Sequence, residues 1–141
     1  MHLNKYKKRV QISTEYLILL SFVVFLVISM LGVSFLYSSL AKDRIKFRNL
    51  DQFASNVIDS AESVFYSGEP SRITINPYLP EGVQGIEVLT GEIIFNVSTS
   101  SGTTRISYAS NVNLAGSLSY NQGVKRISIV ARASDVLVSE E

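Results

Sequence analysis

From Leu17 to Leu36 the chain reads LILLSFVVFLVISMLGVSFL, a run without a single charge. At ~1.5 Å per residue, a helix of that length crosses the ~30 Å hydrocarbon layer of a bilayer. After Leu36 the pattern changes without a helix breaker. Leu40, Phe47, Leu50, Phe53, Ala54, Val57, Ile58, Ala61, Val64 and Phe65 recur at steps of three and four. Lys42, Asp43, Arg44, Lys46, Arg48, Asp51, Asp59 and Glu62 fall largely between them. That spacing predicts an amphipathic continuation of the same helix, stopped at Ser67-Gly68-Glu69-Pro70 by a Gly-then-Pro signal. One helix from about Ser13 to Tyr66 would be roughly 80 Å long.

Beyond Pro70 the period becomes two. Ile73/Ile75, Ile86/Val88, Ile93/Phe95/Val97, Ile106/Tyr108, Leu118/Tyr120, Ile127/Ile129 and Val136/Val138 alternate with polar residues. Turn signals separate them at Pro77–Gly82, Thr90-Gly91, Ser101-Gly102 and Asn121-Gln122-Gly123. This predicts about five or six short antiparallel strands, one face of which packs on the helix stripe. The expected fold class is α+β: a long N-terminal helix on a small antiparallel β-sheet headgroup.

Composition sharpens the division. The net charge of +1 hides Lys5, Lys7, Lys8 and Arg9 in the first ten residues. Without those four, 13 basic residues become 9 against 12 acidic, about −3 for the remainder. A basic nucleic-acid-binding surface is not expected. With no Cys, disulfides and thiolate metal sites are ruled out. The only histidine, His2, lies in the basic head, so imidazole catalysis and His-ligated zinc would have to use it. The basic cluster before the apolar run orients the N-terminus to the cytoplasm and the C-terminal bulk outward. Small residues within the span, Ser21, Ser29, Gly32 and Ser34, suit close helix-helix approach and are equally ordinary in membrane helices.

Such a segment has three fates: an uncleaved anchor, an ordinary signal peptide, or a pilin-type signal. Ser39-Leu40-Ala41 resembles an ordinary cleavage site, but the apolar run exceeds the usual ~7–15-residue core of a signal peptide. The junction Lys7-Lys8-Arg9-Val10-Gln11-Ile12-Ser13-Thr14-Glu15-Tyr16 favours the third. Ser13 as a helix cap and Glu15 as a first-turn carboxylate account for part of it. They do not account for a basic block that stops just before Gln11.

Gln11-x-Ser13-x-Glu15-Tyr16, behind a short basic leader and ahead of an unbroken apolar run, resembles the class III signal peptide of euryarchaeal type IV pilins. The resemblance covers residues 7–36, and Val10 departs from the small residue that commonly ends such leaders. It implies cleavage by a membrane prepilin peptidase on the cytoplasmic side, between Val10 and Gln11. Glu15 then becomes the fifth mature residue, where type IV pilins carry their Glu. Residues 1–10 would be the leader, 11–67 the transmembrane and assembly helix, and 70–141 the extracellular headgroup. A carboxylate inside an apolar filament core needs a partner. A neighbouring subunit's new α-amino group would supply one; if Gln11 cyclised to pyroglutamate, a hydrogen-bond donor would be needed instead.

Other chemistry is sparse. Glu87 and Glu92 flank a tight turn and could approach as a carboxylate pair, though solvent-facing solubilising residues are the simpler reading. Asn96-Val97-Ser98 is a candidate N-glycosylation triplet in the outward-facing part of the chain. No catalytic residue, cofactor or metal site is expected. The implied function is structural: a major or minor pilin of an archaeal type IV pilus serving adhesion. Its partners would be copies or related pilins, the prepilin peptidase, the assembly platform, and membrane lipid before assembly. The alternatives are a single-pass anchored β domain that binds a ligand without polymerising and, more remotely, a membrane-anchored enzyme.

Overall fold

The structure is a computed structural model that describes residues 3–141 as backbone and Ser13 onward with side chains. It is α+β, a long N-terminal helix packed against small β-sheets. Helix α1 runs Leu3–Ser67, and the chain divides into two units, residues 1–41 and 42–141. The helix therefore belongs to both, and its second half is built into the head.

Nine strands follow: β1 Arg72–Ile75, β2 Tyr78–Leu79, β3 Val83–Leu89, β4 Glu92–Thr99, β5 Gly102–Ala109, β6 Leu114–Ser117, β7 Gly123–Val124, β8 Ile127–Ala131 and β9 Val136–Glu140. They form a four-stranded sheet in the order β1-β8-β9-β6, a three-stranded sheet β3-β4-β5 and the pair β2-β7. This is more strands than the alternation predicts. β6 (LAGS) and β7 (GV) carry no apolar alternation at all. Leu118 and Tyr120, expected on a strand, lie in the irregular segment after β6. The pairing is antiparallel except for β6 and β9, which run parallel, with Gly116 opposite Val138.

The amphipathic stripe does what its period requires. Leu50, Phe53, Ala54, Val57, Ile58, Ala61 and Val64 are buried, with Phe47 and Phe65 half-buried beside them. They join one core with Ile93, Phe95 and Val97 of β4, Ile127 and Ile129 of β8, and Val136 and Val138 of β9. Phe53 meets Phe95 edge-on at 6.0 Å, and Phe95 meets Tyr108 at 5.7 Å, the arrangement ring quadrupoles favour. Leu40, expected on the stripe, is 54% exposed and falls in the first unit. The helix ends where Gly68 takes φ +80°, its N–H donating to the Phe65 carbonyl at 3.0 Å. A left-handed C-terminal residue that closes the last turn is a role suited to glycine.

Polar clasps tie the second half of α1 to the head at both ends. The β4–β5 turn donates to Asp43 through the Ser100 hydroxyl (2.5 Å) and the Ser100 N–H (3.1 Å). One turn along, Lys46 Nζ donates to the Ser98 carbonyl at 2.9 Å. Farther on, Glu62 accepts from both the N–H (3.1 Å) and the side-chain amide (3.0 Å) of Asn111. The Ser100 hydroxyl, then its N–H, hold the Asp43 carboxyl below its ordinary range against the opposing effect of burial, and the Lys46 charge adds the smallest contribution. A carboxyl whose pKa falls on folding stabilises the fold above its unfolded value, about pH 4, and loses that contribution as pH drops through the folded value. Asp43→Ala should therefore lower the melting temperature of the detergent-solubilised chain at pH 7 and have a much smaller effect at pH 3. An equal effect at both values would show that the charge of Asp43 is not what holds the Ser100 turn.

Candidate functional site

Within the first unit nothing covers the apolar helix. Leu17, Ile18, Phe22, Phe25, Leu31 and Leu36 are 60–70% exposed, and Phe35 is 82% exposed. The segment is long and apolar enough to cross a membrane, and none of its most apolar window is buried. Each such side chain covered gains ~1.5–3 kcal/mol relative to water, so the segment as a whole calls for an apolar environment. Three of its serine hydroxyls are compatible with one. Ser21 donates to the Leu17 carbonyl at 2.8 Å and Ser29 to the Phe25 carbonyl at 2.8 Å, each one turn back along the helix. Ser39 does the same to Leu36 at 2.9 Å. These bonds remove the cost of taking a hydroxyl into hydrocarbon unsatisfied. A Cβ on Gly32 would meet nothing within 4 Å, so no contact inside the chain requires a glycine there.

Glu15 is the single charged residue between Ser13 and Ala41, and it is exposed, as are Ser13 and Tyr16. The structure thus sets one carboxylate at the entrance of an uncovered apolar rod. The side chains of Lys7, Lys8, Arg9, Val10 and Gln11, named above as the cleavage junction and its cations, lie outside the described residues.

In the head, Asn96 sits in the middle of the central strand β4, half-buried, opposite Gly85 and Arg105. Glu87 and Glu92 do not stand opposite each other. Glu87 faces Ile94 across the ladder, and Glu92 faces Leu89 and Ala109. Glu87 accepts a charge-assisted bond from Arg105 at 3.1 Å, both side chains being well exposed. Among the described residues no group of three or more His, Cys, Asp or Glu stands together to hold a metal.

One feature of the head has no signal in the linear pattern. Asn49, Gln52 and Asn56 follow one another along α1 and, with Phe53 between them, Asn76 and Pro77 from the β1–β2 connection and Tyr78 at the start of β2, line a cleft of about 250 Å³. Amides scattered over thirty residues carry no periodic or motif signature; only the fold gathers them.

Comparison of the chain with family models, with curated proteins and with solved structures finds no match.

Proposed function

We propose that this chain is a structural subunit of an archaeal type IV pilus, made as a prepilin, cut between Val10 and Gln11, and polymerised through α1. The observation that carries the reading is the division of labour along that one helix. Its second half is consumed by the core of its own head, while its first half is uncovered and apolar on every side with a lone acid at the entrance. A membrane anchor needs only the uncovered half. A filament subunit needs both: copies pack through the apolar rod, and the striped half holds the head that they display. The Gln11-x-Ser13-x-Glu15-Tyr16 junction adds the processing signal.

In this reading the precursor lies in the cell membrane with its N-terminus cytoplasmic, and the mature subunit is extracellular, in a fibre serving adhesion. The chain carries out no catalysis. Glu15 acts electrostatically: among apolar rods its carboxylate is stable only when a neighbour supplies a positive charge or hydrogen-bond donors, and that need fixes the axial register between copies.

N-terminal sequencing of surface-extracted protein tests the first claim. Gln11 is the expected first residue. Met1 would indicate an uncleaved anchor and Lys42 an ordinary secreted protein. Glu15→Ala tests the second. Incorporation into fibres should fall by about tenfold or more, the effect of losing one registering interaction of ~1.4 kcal/mol per contact. Unchanged fibre yield would remove Glu15 from assembly.

A further inference from the structure

The amide-lined cleft uses the second half of α1, not its uncovered apolar first half. All three amide side chains of the helix between Lys42 and Ser67, those of Asn49, Gln52 and Asn56, line this cleft, whereas the surrounding helix surface carries Arg48, Asp51 and Asp59. Across it stand Asn76 and Tyr78. Among the described residues these four amides have no hydrogen-bond partner within the chain. Tyr78 is 46% exposed, and its hydroxyl accepts from Gln122 Nε2 at 3.2 Å, a bond that steadies the ring.

We infer that this cleft binds one ring of a neutral saccharide. A carboxamide presents a donor and an acceptor side by side, the pattern that a pair of neighbouring sugar hydroxyls complements. A half-exposed tyrosine gives a rigid apolar face on which the C–H side of a pyranose can lie. The lining holds no charge, so an acidic ligand would find no cation there. Lys42 and Lys46 line a neighbouring depression, and Lys46 is committed to the Ser98 carbonyl. The volume, about 250 Å³, is just below the ~300–1,000 Å³ of sites for drug-sized ligands and suits a single ring. A second protein chain is the poorer fit, because four of the seven lining residues are amides, whereas the buried centres of protein interfaces are mainly apolar and aromatic. The inference rests on the pilin reading only for placing the head outside the cell, where glycans are met.

The test uses the full chain in a zwitterionic detergent free of sugar headgroups. Saturation-transfer NMR is run against glucose, galactose, mannose and N-acetylglucosamine. Transfer to one face of at least one ring is expected, with an affinity on the order of millimolar. Gln52→Ala, Asn56→Ala and Tyr78→Ala should each weaken it by about tenfold. The two helix substitutions place a strong helix former at exposed positions, so their melting curves should match the wild type. No transfer from any of the sugars, or equal transfer to the variants, would overturn the inference. So would altered self-association of the Gln52 and Asn56 variants in sedimentation with sugar binding intact, since the cleft would then be a subunit contact. An intact leader on surface protein would sink the pilin reading and leave the sugar result standing.

Discussion

Gly116→Ala should remove most of the stability of the head, at least about 4 kcal/mol, because overpacking and backbone strain coincide there. A Cβ at this position would lie 1.9 Å from the Val138 carbonyl oxygen and 2.9 Å from its carbon, and the residue's φ of +123° is itself unfavourable for any side chain. The obstacle is backbone, so no rotamer change relieves it. β6 and β9 pair in parallel at that point, and separating them would undo the edge of the four-stranded sheet. Small domains are stable by only ~5–15 kcal/mol, and each kcal/mol shifts the melting point of a head this size by about 4–8 °C. Near-UV circular dichroism of the detergent-solubilised chain should lose its cooperative transition or show it lowered by roughly 16 °C or more. A shift of only a few degrees would mean that the Gly116–Val138 register is wrong.

The second large effect concerns a buried cation. Lys125 is 6% exposed, with its ammonium donating to the Ser119 hydroxyl and to Glu140 Oε1 at 3.0 Å. Glu140 also accepts from the Ser119 N–H at 3.0 Å through its other oxygen. Burial alone would push the Glu140 carboxyl up, but the bonds from Ser119 and Lys125 outweigh it and hold the carboxyl below its ordinary value. Glu140→Ala removes the counter-charge and leaves the buried Lys125 ammonium with only the Ser119 hydroxyl, which should cost about 2 kcal/mol. Pairing it with Lys125→Met should restore much of the loss, because an apolar pair needs no solvation. Since the carboxyl's pKa falls on folding, the penalty of Glu140→Ala should be full at neutral pH and shrink below about pH 4, as the wild type also protonates. Chemical denaturation of the two variants at pH 7 and pH 3 measures both points. Additive losses in the double variant would show that the two groups do not act as a pair.

Local periodicity made α1 legible, and for a physical reason. Burial against a sheet selects one helical face, so Leu50 to Val64 appear in the sequence at the spacing that the core imposes. The stop at Gly68 was legible because a left-handed residue and a following proline are local requirements. β4 was legible because Ile93, Phe95 and Val97 all face that core. What stayed hidden depends on distant partners. β6 is a strand only because β9 lies beside it, and its Leu-Ala-Gly-Ser carries small residues where the chains approach closely. Glu62 and Asp43 read as members of a solvated charged face, yet each is tied to a loop about fifty residues away. Leu40 fits the stripe numerically but precedes the point at which the head begins to cover it. The amide cleft joins residues 49–56 to 76–78, and no linear signal marks that meeting.

The back-bonded serines have a consequence for assembly. With Ser21 and Ser29 donating to the Leu17 and Phe25 carbonyls one turn back, neither hydroxyl needs a partner from whatever surrounds the rod. If the chain polymerises as proposed, passage from lipid tails to sister rods strips neither of these two hydroxyls of its partner.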